Sequence, residues 1–216
     1  MTGTLIILPA LALLYGLLHF EKREKPWGIV LLKASLSSLF VLVVLTQPHP
    51  IPRYYYFLLT GLVFCWAGDI FLSLTLPGMF LAGLVSFLLG HILYNLGFFY
   101  LSGINQWTWA GSFIVLVSSV TAYVWLRPHL GSMKTPVLLY IAVISVMISG
   151  ASSVMGDINL EKPFRIMTLT GAVAFYLSDI FVARDRFIRA EFLNRLTGLP
   201  MYYAGQFLIA FSVGQL

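Results

Sequence analysis

The sequence predicts an all-α, polytopic membrane protein, a bundle of eight transmembrane helices with short loops. Of its 216 residues, 59% are hydrophobic and only 10% are charged. The mean hydropathy of +0.90 lies far above that of soluble domains. Eight apolar runs each approach the ~20 residues that a helix needs to cross ~30 Å of hydrocarbon. The joints between them are too short for a second domain, so residues 1–216 are interpreted as a single transmembrane domain.

The eight predicted spans follow these apolar runs. The first run has no preceding basic region and no small-residue cleavage site, so we expect a retained helix rather than a removed signal peptide. The last polar joint, "RDRFIRAEFLNR" at 184–195, is predicted to be a solvated amphipathic segment. The predicted spans are approximately 4–20, 28–47, 55–74, 79–100, 109–126, 136–155, 164–183 and 201–215.

The distribution of basic residues predicts the orientation in the membrane. Nine Lys and Arg residues lie in joints one, three, five and seven, against three in the even joints. The excess of positive charge marks the cytoplasmic side, so both termini are expected outside. Short joints and the lack of a targeting segment favour a bacterial inner membrane. The basic residues do not form a patch with interleaved aromatics, so no nucleic-acid partner is predicted.

Several common chemistries are excluded by composition and motif. The single cysteine, Cys65, rules out a disulfide framework and a cysteine-based metal site. The four histidines have no metal-ligand spacing, and no G-x-S-x-G elbow, H-E-x-x-H helix or phosphate-binding glycine loop is present. We therefore predict no metal and no cofactor. Carboxylate acid–base chemistry remains.

Two aspartates lie inside apolar runs, Asp69 in "FCWAGDIFLSL" and Asp179 in "FYLSDIFVARDRF". An ionised Asp within a membrane costs about 2.5–3.5 kcal/mol, so such residues normally face a polar interior and have a function. They lie 14 and 15 residues into predicted helices three and seven, which run in the same direction. At 1.5 Å per residue both are ~21–23 Å from the outer boundary. The alternative role is a structural hydrogen-bond acceptor between helices.

Other polar residues are predicted to surround the two acids. Lys33 and Gln206 each lie five residues into their predicted spans, ~7–8 Å from the cytoplasmic boundary. Lys33 could instead extend to the interface, and His91 could be a packed histidine. Together these residues predict a cavity open toward the cytoplasmic leaflet. The candidate substrate-binding residues are Lys33, His91, Tyr94, Asn95, Tyr202, Tyr203 and Gln206.

Two short matches suggest an internal duplication of four helices. "WAGDIF" at 66–71 resembles "YLSDIF" at 176–181, and "GH" at 90–91 corresponds to "GQ" at 205–206.

The motifs "AGDIFL", "GHILYN", "FYLSDIFVARDRF" and "YYAGQFLIA" together resemble the YhhN-like lysoplasmalogenase family of eight-helix membrane hydrolases. The resemblance implies hydrolysis of the vinyl ether bond of a lysophospholipid from the membrane, with water as co-substrate. The products would be a fatty aldehyde and glycerophosphocholine or glycerophosphoethanolamine. It also implies that Asp69 and Asp179 are the functional aspartates. Lys33 resembles the family's helix-two lysine, although Ala34 follows it where proline is common.

Vinyl ether hydrolysis requires one protonated acid and one anion. Two carboxyl groups in a cavity of low dielectric can divide these states between them, as they do in glycoside hydrolysis. A proton-coupled solute transporter is the alternative that two intramembrane aspartates leave open. An intramembrane aspartyl protease is disfavoured because Trp66 replaces the first glycine of its G-x-G-D signature.

Overall fold

The computed structural model describes the backbone of residues 2–216 and the side chains of residues 5–216. Within this part of the chain there are eight α-helices and no strand, which confirms the all-α prediction. The helices are α1 (Thr2–Lys22), α2 (Pro26–Thr46), α3 (Pro52–Ser73), α4 (Met79–Ser102), α5 (Gln106–Leu126), α6 (Lys134–Gly156), α7 (Lys162–Ala183) and α8 (Phe192–Ser212).

The helices have the length and composition of membrane spans. At 1.5 Å per residue, even the 21-residue helix α2 is ~31 Å long and can cross the hydrocarbon core. Seven of the eight described helices are apolar enough to span a membrane. Helix α8 is also 21 residues long but less apolar, because it carries Asn194, Gln206 and two tyrosines toward the protein interior. The chain is an integral, multi-pass membrane protein.

The helix ends follow local sequence signals. Proline occupies the first turn of α2, α3 and α7, where the missing backbone N–H costs no helical hydrogen bond. Asn105 caps α5 through a capping box with Thr108. Gly78 and Gly103 flank α4 with positive φ angles of 80° and 58°, a conformation that glycine adopts readily. These signals coincide with the predicted joints.

Six helices form a closed ring, and two lie outside it. The order around the ring is α2, α3, α4, α6, α7 and α8, and α8 returns to contact α2. Helix α1 packs outside the ring against α2 and α8, and α5 packs against α6. The ring brings the Asp-bearing helices α3 and α7 to face one interior.

The start of the last helix differs from the prediction. Helix α8 begins at Phe192, not at residue 201, and continues through Pro200. The preceding residues, Arg184–Ile188, extend α7 as a π-helix. The prediction of a solvated segment at 184–195 is wrong for Asn194, which is only 2% exposed. Its side chain accepts from Arg184 Nη1 at 2.6 Å and donates to the Arg189 carbonyl at 2.8 Å, so polar groups of the segment are satisfied inside the fold.

Candidate active site

A cavity of about 570 Å³ lies at one end of the bundle, within the usual size range of ligand pockets. It is bounded by the last turns of α1, α3, α5 and α7 and the first turns of α2, α4, α6 and α8. Asp69 and Asp179 both line it. Each lies four residues before the last residue of its helix, ~6 Å along the axis, so they share one level of the bundle.

Asp69 is 5% exposed and accepts two hydroxyl hydrogen bonds on one oxygen. Ser37 Oγ donates to Asp69 Oδ2 at 2.5 Å, and Tyr202 OH donates to the same oxygen at 2.6 Å. No side chain among residues 5–216 donates to Oδ1. Two donors directed at a single carboxylate oxygen stabilise the anion.

Asp179 has fewer donors and is partly exposed to the cavity. Tyr140 OH donates to its Oδ2 at 2.7 Å. Within the described residues no further hydrogen bond to this carboxyl is present. The two aspartates therefore differ in their environment although they share a level.

A hydrogen-bonded chain lies behind Asp69. Tyr94 OH donates to Gln206 Oε1 at 2.9 Å, and Gln206 Nε2 donates to Tyr202 OH at 3.3 Å. Because α8 starts earlier than predicted, Gln206 is 14 residues into the helix, ~21 Å along its axis rather than 7–8 Å. The chain orients the Tyr202 hydroxyl so that its own proton points to Asp69.

Only part of the predicted binding set reaches the cavity wall. Lys33 and Tyr202 line it, together with the two aspartates. Tyr203 is 2% exposed, lies behind the wall, and its hydroxyl is 3.4 Å from Ser37 Oγ. Tyr94 and Gln206 are fully buried in the chain described above.

His91 and Asn95 are packed between helices. His91 is fully buried, and its Nδ1 donates to the Phe87 carbonyl at 2.7 Å. Its ring lies perpendicular to those of Tyr140 and Phe175, at 5.4 and 4.6 Å between centroids. Asn95 Nδ2 donates to the Val143 carbonyl at 3.2 Å across the α4–α6 contact. Neither lies on the cavity wall, so a direct substrate contact is not supported by their placement.

The mouth of the cavity carries linked ion pairs. Lys33 Nζ lies 3.7 Å from a carboxylate oxygen of Glu21, and Arg195 Nη1 lies 3.5 Å from the other oxygen. Arg195 Nε also lies 3.2 Å from Asp185 Oδ2. Glu21 is only 6% exposed, so two cations compensate its burial.

Three site residues were missed by sequence reasoning. Ser37 lies four residues after Lys33 on α2, and this spacing could have placed it on the same face. Glu21 lies in the charged joint "EKREKP", whose basic residues are a topology signal, and nothing in that joint distinguishes Glu21 as a buried acid. Tyr140 had no distinguishing signal, because one tyrosine in an apolar helix usually indicates packing or the interface.

The rest of the cavity wall is largely apolar. Its side chains include Phe80, Leu84, Phe87, Ile141, Ile144 and Leu199. Such a surface fits an acyl or alkenyl chain, while the acids lie at the polar end. Among the described residues, no three His, Cys, Asp or Glu side chains are placed to hold a metal ion.

Known proteins resemble this chain over most of its length. The profile of the YhhN family matches residues 28–213. The lysoplasmalogenase TMEM86A of Bos taurus is 32% identical over 156 residues, which cover 70% of this chain and 62% of the relative. A lysoplasmalogenase of Mycobacterium bovis is 29% identical over 178 residues, covering 80% and 64%. The TMEM86A lysoplasmalogenase of Homo sapiens is 30% identical over 156 residues, covering 70% and 62%.

The chain spans about 62–64% of the length of these curated relatives. No solved structure matches it significantly. Apart from the first two residues of α2, the family profile covers the six helices that form the ring, including both aspartates. On this match the chain belongs to the YhhN family.

Proposed function

We propose that this protein hydrolyses the vinyl ether bond of lysoplasmalogens, releasing a fatty aldehyde and glycerophosphocholine or glycerophosphoethanolamine. The observation that carries the proposal is the pair Asp69 and Asp179 on one largely apolar cavity at one end of a membrane bundle. Relatives named lysoplasmalogenase support the substrate class.

We infer that Asp69 acts as the anion. Its Oδ2 receives the protons of Ser37 and Tyr202, an arrangement that favours the charged carboxylate. Its Oδ1 remains available to accept a proton from water. A negative charge at this position stabilises an adjacent oxocarbenium ion, as the second carboxylate does in glycosidases.

Asp179 then acts as the general acid. It has one hydroxyl donor, on Oδ2, and a carboxyl with few donors on a largely apolar cavity wall is more readily held in the neutral form. Its proton, carried on Oδ1, can be delivered into the cavity. This division of roles follows from the different numbers of donors.

The reaction proceeds through two balanced proton exchanges. Asp179 protonates the outer alkene carbon, and the alkene electrons form the new C–H bond, leaving an oxocarbenium ion. Water attacks this cation and gives a proton to Asp69, which forms a hemiacetal. The hemiacetal hydroxyl returns its proton to Asp179 as the C–O bond to glycerol breaks, and Asp69 protonates the departing oxygen. Both residues end in their starting states.

The membrane orientation is part of the proposal. The cavity opens at the end of the bundle where the odd joints lie, which carry nine of the twelve loop Lys and Arg residues. By the positive-inside rule this end faces the cytoplasm, with both termini outside. The short joints are the basis for proposing a bacterial inner membrane. A lysolipid of the cytoplasmic leaflet could enter with its phosphate at the interface and its chain along the apolar wall.

The test is fatty-aldehyde release from an alkenyl lysophospholipid by the purified protein in detergent. The saturated-ether lysolipid serves as the blank, and Asp69→Asn and Asp179→Asn are the site variants. We expect wild-type protein to release aldehyde and both folded variants to lose it. Folded wild-type protein that releases no aldehyde from either the choline or the ethanolamine lipid would refute the proposal.

A further inference from the structure

Three basic side chains line the cavity: Lys33, Arg186 and Arg195. We propose that Arg186 binds the phosphodiester of the lysolipid headgroup at the cavity mouth. This inference rests on the proposed function. It assigns the phosphate contact to a residue of the last joint rather than to Lys33.

The other two cations are already neutralised. Lys33 pairs with Glu21 at 3.7 Å, and Arg195 lies between Glu21 and Asp185 at 3.5 and 3.2 Å. Two positive and two negative charges thus form a closed set. A phosphate that approached either cation would compete with a carboxylate for it.

Arg186 belongs to no such set. Among residues 5–216 it has no carboxylate partner, and its guanidinium carbon lies 4.6 Å from the centre of the Phe80 ring. Phe80 is itself held by an edge contact with Phe187, at 5.6 Å between centroids. Stacking on a ring orients the guanidinium while leaving its N–H donors free, and their planar fork matches two oxygens of a phosphate.

The position of Arg186 relative to Asp179 suits a lysolipid. Arg186 follows Asp179 by seven residues, along the end of α7 and its π-helical extension. The rise is ~10 Å, from the acid toward the mouth of the bundle. In the substrate, the three glycerol carbons separate the phosphate ester from the vinyl ether oxygen. Arg186 is exposed at the mouth, so the phosphate can stay at the interface while the ether reaches the aspartates.

The experiment compares two substrates that differ only in the phosphate headgroup. Wild type and Arg186→Gln are assayed for aldehyde release from an alkenyl lysophosphoethanolamine and from 1-alkenylglycerol, which has the vinyl ether but no phosphate. We expect Arg186→Gln to lower kcat/KM for the lysolipid at least tenfold, mainly through KM. Hydrolysis of the alkenylglycerol should change less than twofold.

Arg189→Gln is the matched control. Arg189 is in the same joint, its side chain is 72% exposed, it pairs with Glu191 at 2.8 Å, and it is absent from the cavity wall. This variant removes the same charge and should leave both substrates unaffected. Arg186→Lys keeps the charge but loses the fork, and we expect it to fall between wild type and Arg186→Gln.

Equal losses on both substrates in Arg186→Gln, or no loss on the lysolipid, would overturn the assignment. Binding of the saturated-ether lysophosphoethanolamine to the same variants tests the phosphate contact independently of whether the protein hydrolyses the vinyl ether. Wild type that binds this lipid at least tenfold more tightly than Arg186→Gln supports the phosphate contact even if no aldehyde is released. Equal binding by the two proteins refutes it.

Discussion

The two helices of the pair α3–α4 approach each other in the same way as the two helices of the pair α7–α8. A Cβ added at Gly90 of α4 would lie 2.9 Å from the carbonyl oxygen of Gly61. A Cβ added at Gly205 of α8 would lie 2.7 Å from the carbonyl oxygen of Gly171. Gly61 and Gly171 each precede the aspartate of their helix by eight residues. In both pairs, glycine therefore allows backbones to meet at the same distance from the acid.

A second close contact repeats seven residues earlier on α4 and α8. Gly83 and Gly198 precede Gly90 and Gly205 by seven residues. Their added Cβ atoms would lie 3.3 Å from the Gly68 carbonyl and 3.5 Å from the Ser178 carbonyl, the residues just before the two aspartates. The matching contacts extend the short sequence duplication into the packing, and each lies directly beside an aspartate.

The pairs differ in the polar side chains that this common frame presents. The residue after Gly205 is Gln206, which joins the chain to Tyr202 and Asp69. The residue after Gly90 is His91, which bonds the Phe87 carbonyl, and its Nε2 has no partner within the described residues. Similar backbone packing thus accompanies the common level of the two acids, while the number of hydroxyl groups that donate to each acid differs.

The largest expected effect separates the two acids by chemical rescue. Asp69→Ala and Asp179→Ala should each lower aldehyde release by about a thousandfold or more, because general acid–base groups that act as a unit fail together. Added acetate should then restore Asp179→Ala in proportion to neutral acetic acid, and Asp69→Ala in proportion to the acetate ion. Rates measured against total acetate at several pH values distinguish these cases. If both variants follow the same species, the assigned asymmetry is wrong.

Removing the hydroxyl donors tests the cause of that asymmetry. Hydrogen bonds to a charged group contribute about 1.5–3 kcal/mol, so Tyr202→Phe should lower kcat by roughly tenfold to a hundredfold. The double variant Ser37→Ala/Tyr202→Phe should lose more than either single variant, because each hydroxyl compensates partly for the other at Asp69 Oδ2. Steady-state kinetics in detergent measure this. A double variant with wild-type kcat would show that these donors do not support the anion.

A smaller effect is expected at the buried amide behind Tyr202. Gln206→Leu leaves the Tyr94 hydroxyl without its acceptor and frees the Tyr202 hydroxyl to rotate. Activity should therefore fall about tenfold, which corresponds to a loss of ~1.4 kcal/mol in stabilisation of the transition state. Asn95→Leu is the control, since Asn95 donates only to the Val143 carbonyl and takes no part in the hydrogen-bonded chain behind Asp69. It should reduce thermal stability but preserve kcat in the folded protein. Equal kcat losses in the two variants would argue against a role specific to Gln206.

The smallest expected effect concerns stability rather than chemistry. Gly205→Ala places its Cβ against backbone atoms that cannot move aside, and overpacking of this kind costs about 1–3 kcal/mol. Gly16→Ala is the control, because its Cβ would lie 3.6 Å from a flexible Leu32 methyl, and alanine favours the helix. Thermal unfolding in detergent should show a lower Tm for Gly205→Ala and an equal or higher Tm for Gly16→Ala. An unchanged Tm in Gly205→Ala would contradict the close approach.

Two features of the protein follow from its sequence alone, namely the fold class and the common level of the two acids. Hydrophobic thickness and the fixed helical rise turn position in an apolar run into depth, and this relation alone predicts that Asp69 and Asp179 lie at one level. The same calculation gives the wrong depth for Gln206, because Pro200 and the polar residues before it have the composition of a loop, and the helix is therefore predicted to begin at residue 201. Polar groups of that segment are satisfied by one another inside the protein, so the helix begins at Phe192.

Which side chains meet at that level depends on how the helices pack. Depth along a helix says nothing about the direction a side chain faces, and that direction depends on how helices distant in sequence pack into the ring. Ser37 and Tyr202 therefore reach Asp69 from α2 and α8, and Tyr140 reaches Asp179 from α6. Likewise, the pairing of Lys33 with Glu21 follows from α1 docking beside α2, which leaves Arg186 as the unpaired cation among the described residues of the cavity wall.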